Sequence, residues 1–209
     1  MTALTLNIPS TLKLTDEQFY QLCLANRDLR LELTAQGELI VMPPTGGGTG
    51  RRNSELNFEF VLWNRSSKLG VVFDSSTAFK LPNGAIRSPD VSWVSKERWE
   101  SLTPEQQEKF LPLCPEFVLE LRSPSDALSD MRLKIQEYLA NGSRLGWLID
   151  PQTQQVEIYR INQEVELMRM LEASAFAKHG RRAQPSPTLS GEDVLPGFVL
   201  ELGNFLVFD

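Results

Sequence analysis

Histidine, cysteine and long apolar runs are scarce in this chain, and each scarcity argues against a class of protein. The single histidine, His179, argues against Ser-His-Asp or Cys-His catalysis and against zinc sites with several histidines. Cys23 and Cys114 are too few and too far apart for a zinc knuckle or a disulfide framework. No signal-peptide-like segment follows Met1, and no apolar run approaches about 18 residues. We therefore expect a reduced, cytoplasmic protein without a membrane partner.

The charge balance is acidic, because 21 Lys and Arg residues face 27 Asp and Glu residues for a formal net charge of −6. Proteins that coat nucleic acid are usually basic, so this balance argues against that class. It does not exclude a nuclease, since acidic metal ligands can lie among local basic patches. The length of 209 residues predicts a single domain over 1–209. The amino-acid composition of the chain changes at 173–187, where we expect a mobile basic insertion.

Hydrophobic periodicity and turn signals predict alternating helices and strands. Helices are expected at 15–26, 51–67, 99–115 and 127–141, the first opened by the capping box Thr15-Asp16-Glu17-Gln18. Strands are expected at 29–33, 39–42, 71–73, 78–81, from 86 onward, and at 117–121, 145–149 and 156–160. Asn83-Gly84 is a strong hairpin signal, and it predicts that Asp90 lies on the returning strand. A helix between two buried strands favours a βαβ crossover and hence an α/β fold with a mixed sheet, preceded by an N-terminal helix and hairpin.

Two carboxylates lie beside apolar, strand-like runs. Asp90 directly precedes Val91-Ser92-Trp93-Val94, and Glu120 lies inside Phe117-Val118-Leu119-Glu120-Leu121. A carboxylate buried in an apolar strand is unfavourable unless it is paired or binds a metal. Two of them on neighbouring strands would form an all-oxygen site suited to Mg²⁺ or Mn²⁺. Lys134, on the following helix, would add the positive charge that a metal-dependent phosphodiesterase uses, although taken alone it could equally be a solvated helix lysine.

The same blocks carry a resemblance to a known family. The segments are Arg87-Ser88-Pro89-Asp90, Glu120-Leu121-Arg122-Ser123-Pro124-Ser125-Asp126, Lys134 to Gly142, Leu148-Ile149-Asp150-Pro151 and Leu195-Pro196-Gly197-Phe198. From about Phe19 to Leu202 the chain resembles the bacterial putative restriction endonuclease family of the PD-(D/E)xK nuclease superfamily. The resemblance implies a restriction-endonuclease-like core and Mg²⁺-dependent cleavage of phosphodiester bonds.

The chain departs from the superfamily pattern two positions after Glu120, where lysine is usual and Arg122 stands instead. Arginine stays protonated and cannot accept a proton, so Lys134 is the expected replacement. Two roles for the Arg122 side chain then stay open: it forms a salt bridge with Glu120, or it contacts a phosphate. Glu55 matches the acidic residue that such nucleases often supply from the helix before the hairpin. It either completes the metal ligands or faces solvent.

The sequence therefore predicts an endonuclease in which Asp90 and Glu120, with Glu55 as a third candidate, bind Mg²⁺, or Mn²⁺ as its substitute. Lys134 is the catalytic cation, and DNA is the expected substrate. Two rival hypotheses stay open: a catalytically silent member that binds DNA or dimerises, and a nuclease specific for RNA or for a nucleic-acid structure. A homodimer is expected, since cutting both strands of a duplex needs two sites and two-fold dimers are the commonest oligomers.

Overall fold

The computed structural model describes residues 3–9, 12–170 and 187–203. The strands are β1 (Leu4–Leu6), β2 (Arg30–Leu33), β3 (Leu39–Met42), β4 (Gly70–Asp74), β5 (Phe79–Lys80), β6 (Ile86–Arg87), β7 (Val91–Ser95), β8 (Phe117–Leu121), β9 (Leu145–Asp150), β10 (Gln155–Arg160), β11 (Glu166–Arg169), β12 (Thr188–Ser190) and β13 (Val199–Glu201). The helices are α1 (Asp16–Ala25), α2 (Gly47–Ser67), α3 (Lys96–Glu100), α4 (Pro104–Gln107) and α5 (Leu128–Ala140). The expected insertion at 173–187 lies outside the described residues except for its last position.

The N-terminal part forms a five-stranded sheet with the order β1-β3-β2-β6-β5. Helix α1 begins at the predicted capping box, in which the Thr15 hydroxyl accepts from Gln18 N–H and the Gln18 side chain accepts from Thr15 N–H. The predicted hairpin of β2 and β3 is confirmed as an antiparallel pair. The Asn83-Gly84 turn is confirmed as well, because β5 and β6 pair across it.

The central sheet has six strands in the order β11-β10-β9-β8-β7-β4. Strands β8 and β9 are parallel and are connected through α5, whereas the other neighbours are antiparallel. The predicted mixed sheet with a helical crossover is therefore confirmed. Helix α2 covers one face with Leu56 and Phe60, and α5 covers the other with Ile135 and Tyr138.

Side-chain alternation along β8 decides which residues face each helix. Phe117, Leu119 and Leu121 pack in the core on the α2 side, and Val118 packs in the core on the α5 side. Glu120 shares the face of Val118, and it contacts Lys134 and Tyr138 of α5.

Two predictions for the segment after the Asn83-Gly84 turn are wrong. Asp90 does not lie on the return strand of the Asn83-Gly84 hairpin, because β6 ends at Arg87 and Asp90 directly precedes β7 in the other sheet. Pro89 lacks an N–H, so it cannot donate to a sheet ladder at this junction. The expected helix at 99–115 is instead the short helices α3 and α4, after which Leu111 bridges to Phe79.

Helix α2 begins at Gly47, four residues before the predicted start, and Asp126 does not cap α5. The N-cap of α5 is Ala127, without a side-chain cap. The Asp126 carboxylate accepts from Ser123 N–H instead. Within the described residues, no helix has the length and apolar character needed to cross a membrane.

Candidate active site

A cleft of about 400 Å³ lies where the two sheets meet the start of α2 and the side of α5. Asp90, Glu120 and Lys134 all line it. The sequence predicted that these three side chains converge, and the structure places them around one space.

Asp90 is held in place by hydrogen bonds from two directions. Its Oδ2 accepts from the backbone N–H of Leu121 at 2.8 Å, and its Oδ1 accepts from the Asn53 side chain at 3.2 Å. The carboxylate is therefore tied both to the end of β8 and to α2. Burial raises the pKa of Asp90, and the hydrogen bond from Leu121 and the charge of Lys134 oppose that rise.

Glu120 lies in the middle of the central sheet and is only 3 % exposed. Its Oε1 is 2.8 Å from Lys134 Nζ and accepts from the Tyr138 hydroxyl at 3.3 Å. Burial raises the pKa of Glu120 to about 8; Asp90 raises it further, and Lys134 opposes the rise. Added positive charge in the cleft would favour the ionised form of Glu120.

Lys134 uses its three N–H donors on three oxygens. Its Nζ lies 2.8 Å from Glu120 Oε1, 2.9 Å from Glu32 Oε1 and 3.2 Å from the Ser88 carbonyl oxygen. Burial lowers the pKa of Lys134, but the two carboxylates outweigh it and hold the pKa above its ordinary value. The ammonium is therefore charged throughout the neutral pH range.

Glu32 on β2 is the residue that sequence reasoning missed. It is 2 % exposed, and it also pairs with Arg87 at 3.1 Å and accepts from Ser88 N–H at 3.0 Å. Burial opposes ionisation, but Lys134 and Arg87 hold the pKa of Glu32 below its ordinary value. The signal was present, since Leu31-Glu32-Leu33 is a carboxylate inside an apolar strand, the same pattern that identified Glu120.

Glu55 is not brought into this cleft. It lies on α2 and pairs with Arg51 one turn away at 3.1 Å, with about a third of its side chain exposed. Among the described residues that line the cleft, α2 contributes positions from its first two turns, and Glu55 is not one of them. The residue of α2 that touches Asp90 is Asn53.

Arg122 does not pair with Glu120. Its Nη1 lies 2.8 Å from the buried Asp150 carboxylate, and its Nε donates to the Asp126 carbonyl oxygen at 3.1 Å. The first contact ties the end of β8 to the end of β9, and the second ties it to the segment before α5. Of the two readings that the sequence left open, the salt bridge exists but with Asp150 as its partner, and Lys134 is the cation beside Glu120.

The carboxylate oxygens in the cleft are suitable ligands for a hard cation that needs few ligands from the protein. Across the part of the chain that the structure describes, no group of three His, Cys, Asp or Glu side chains is placed to hold a metal ion. Asp90 and Glu120 are two carboxylates, and each oxygen has more than one lone pair. Mg²⁺ keeps several waters and is commonly bound by one or two carboxylates together with substrate phosphates. Two carboxylates are therefore ligands of the kind that a hard divalent cation accepts.

Comparisons with known proteins agree with this architecture. A crystal structure from Anabaena variabilis ATCC 29413, described as a "putative nuclease belonging to DUF820", superposes with a TM-score of 0.71. It is 20 % identical in sequence, and the match covers 92 % of this chain and 97 % of that one, so the two share a fold. None of the curated proteins gives a significant match. The family model Uma2, described as "Putative restriction endonuclease", matches residues 16–203. The chain therefore belongs to the Uma2 family, whose restriction-endonuclease-like fold it shares.

Proposed function

We propose that this protein is a divalent-metal-dependent endonuclease that hydrolyses phosphodiester bonds in DNA. Membership of the Uma2 family supports nuclease function in general. One observation carries the more specific proposal: Asp90, Glu120 and Lys134 line one cleft, with the Lys134 ammonium 2.8 Å from a Glu120 oxygen. Two carboxylates and a lysine around one space can hold a cation and also place a separate positive charge beside it.

Asp90 and Glu120 are the proposed ligands for Mg²⁺ or Mn²⁺. Both contacts of Glu120 with α5 are made by Oε1, so Oε2 is the oxygen that we assign to the cation. When bound, the cation supplies positive charge against the phosphoryl oxygens and increases the acidity of an attacking water. Glu55, expected from the sequence as a third ligand, is left out of the proposed set because it lies outside the cleft lining.

Lys134 is the proposed catalytic cation. Its Nζ stays charged and is held on three oxygens, so it is oriented before substrate arrives. In this position it can orient the attacking water and offset the negative charge that develops on the phosphoryl group. It is not assigned as a base, because its raised pKa keeps the proton bound.

The rest of the cleft suits a phosphate backbone. Arg30 and Arg52 line it, together with the glycines at the start of α2, Gly46 to Gly48. Arginines form strong hydrogen bonds with phosphate, and the amide groups at the first turn of a helix favour anions. The first turn of α2 contains no acidic residue that would compete with a phosphate there.

The decisive experiment is cleavage of plasmid and single-stranded DNA with Mg²⁺ or Mn²⁺, with EDTA as the metal-free condition. Wild type is expected to cleave, and Glu120→Gln is expected to lose activity. Glu55→Gln is the matched control, because it makes the same change outside the cleft and should cleave like wild type. If the wild type binds DNA but cleaves nothing with either metal, the proposal fails, and a catalytically silent DNA-binding module becomes the better account. Including RNA substrates in the same assay tests the RNA alternative.

We also propose a homodimer formed through the N-terminal sheet. Strand β1 is the edge of that sheet, and its apolar side chains Leu4 and Leu6 are about half exposed. An apolar edge strand is a surface that a second copy can cover. Light scattering at micromolar concentration should give a dimer for wild type and a monomer for the double variant Leu4→Glu, Leu6→Glu. A monomeric wild type would refute the dimer without affecting the cleavage proposal.

The proposed place of action is the reducing cytoplasm. Cys23 and Cys114 are both free thiols, and Cys114 is buried. This is the arrangement expected where structural disulfides are rare.

A further inference from the structure

A second cavity adjoins the proposed catalytic cleft. It has a volume of about 620 Å³, within the roughly 300–1,000 Å³ range of small-ligand pockets. Arg30, Thr45 and Asp90 line both spaces, so Asp90 stands in the wall between them. The second cavity extends from there along α2. Anything bound in it lies directly beside the proposed reaction centre.

Three residues that line this cavity each have a buried side-chain atom without a hydrogen-bond partner among the described residues. The atoms are Asn53 Oδ1, Asn57 Nδ2 and Arg30 Nε. Buried polar groups are normally satisfied, because an unpaired one lowers stability. Here one acceptor and two donors are left unpaired around the same space. This combination is what a ligand with its own donors and acceptors would satisfy.

The cavity also has an apolar surface next to these atoms. Asn53 and Asn57 are one helical turn apart on α2, and Phe58 and Leu62 follow on the same helix. Phe58 is 60 % exposed and Leu62 is 49 % exposed. The large aromatic ring that remains exposed on this helix offers a flat surface for stacking, and the two amides, each with one unpaired atom, offer polar groups for edge recognition.

The charges around the cavity balance. Two arginines, Arg30 and Arg65, and two aspartates, Asp74 and Asp90, line it. A site for a phosphate would carry an excess of positive charge, whereas a balanced site suits a neutral, polar, planar group. A nucleobase has that chemistry.

We infer that this cavity binds the base of a nucleotide next to the cleaved bond, with Asn53 and Asn57 contacting the base edge and Phe58 stacking on its face. The inference rests on the proposed function, because the cleft beside Asp90 then holds the adjoining phosphate. A base inside a duplex cannot enter such a cavity, so the nucleotide is unpaired or turned out of the helix. The substrate class is therefore nucleic acid with an accessible base at the cleavage position.

The test measures binding without cleavage. Fluorescence anisotropy in EDTA compares a single strand of about 12 adenosine nucleotides with a strand of the same length made only of abasic sites. Both carry the same backbone charge, but only one has bases. The variants are Asn57→Ala and Phe58→Ala. The control is Leu133→Ala, which truncates an apolar side chain on α5 that is 65 % exposed.

Both cavity variants should lose about fivefold or more in affinity for the adenosine strand, the loss expected for one stacked base. Their affinity for the abasic strand should stay within about twofold of wild type, and Leu133→Ala should change neither affinity. Thermal unfolding should show no loss of stability in Asn57→Ala, because that variant removes an unpaired buried donor.

Equal losses on both strands, or no loss on either, would overturn the base site. If the wild type nevertheless cleaves DNA with Mg²⁺, the base site fails alone and the proposed function survives. If the wild type neither binds nor cleaves nucleic acid, the proposed function fails together with the base site.

Discussion

Glu32 Oε1 lies 2.9 Å from Lys134 Nζ, and the same ammonium is 2.8 Å from Glu120 Oε1. Glu32 belongs to the five-stranded N-terminal sheet and Glu120 to the six-stranded central sheet, so one buried charge on α5 bridges the two. Arg87 adds a second positive charge, pairing with Glu32 and with Glu137 of α5. The position of Lys134 in the cleft therefore depends on how the two sheets pack together.

We predict that Glu32→Gln lowers the rate of single-turnover cleavage by about ten- to a hundredfold, because Lys134 loses one of the two carboxylates that orient it. Glu32 does not line the cleft in the described structure, so the affinity for Mn²⁺ should change little. The control is Glu116→Gln, which also removes a largely buried carboxylate from an ion pair, with Arg98, away from the site. Equal rate losses in both variants would mean that Glu32 acts only through stability.

We predict that Lys134→Met abolishes cleavage and destabilises the metal-free protein. Removing the cation leaves Glu32 and Glu120 as buried carboxylates without their shared partner, and breaking a buried pair typically costs about 3–5 kcal/mol. Added Mn²⁺ should raise the melting temperature of this variant more than that of wild type, because the ion replaces the missing positive charge. Calorimetry with and without Mn²⁺ measures this difference. A smaller rise than in wild type would count against a cation site beside Glu120.

We predict that Arg122→Met lowers stability and retains cleavage. Its guanidinium pairs with the buried Asp150 carboxylate, so its loss should cost about 3–5 kcal/mol of unfolding free energy. The folded fraction should cleave at close to the wild-type rate, since Arg122 does not line the cleft in the described part of the chain. Denaturant unfolding and single-turnover cleavage at low temperature separate the two effects. Full activity in Lys134→Met together with inactivity in Arg122→Met would reverse the assignment of the catalytic cation.

We predict that the metal-free protein becomes less stable as the pH rises towards 8. The pKa of Glu120 is raised to about 8 in the folded state, so the folded protein keeps a proton that the unfolded chain releases above its ordinary carboxyl pKa. Stability then falls with rising pH across that window, by at most about 1.4 kcal/mol per pH unit from this group. Asp90, whose pKa is also raised, acts in the same direction.

Glu120→Gln should flatten this pH dependence, and melting temperatures between about pH 5 and 8 measure it. Mn²⁺ affinity of the wild type should rise over the same range, because a carboxylate binds metal in its ionised form. Stability of the wild type that is constant or rises with pH in EDTA would show that Glu120 is already ionised.

Much of the site could be read from local sequence, because local patterns depend on short-range interactions. The capping box at Thr15, the Asn83-Gly84 hairpin and the alternation that turns Glu120 towards α5 each involve neighbours in the chain. The β8-α5-β9 crossover follows from apolar periodicity on either side of a helix, and it places Lys134 within reach of Glu120. Family blocks in the same segments indicated the fold.

What the sequence determined by itself was the chemistry: two carboxylates next to buried strands, a lysine on the helix that follows the second of them, and an arginine at the position where the superfamily pattern has a lysine. Only the tertiary structure decided the partners. It paired Arg122 with Asp150 rather than with Glu120, and it brought Glu32 to Lys134. The physical reason is that an ion pair depends on distances of a few ångströms between segments far apart in the chain. For Arg122 and Asp150 those distances are set by the pairing of β8 with β9, and for Glu32 and Lys134 by how the N-terminal sheet packs against the central sheet and α5. No local pattern encodes either arrangement.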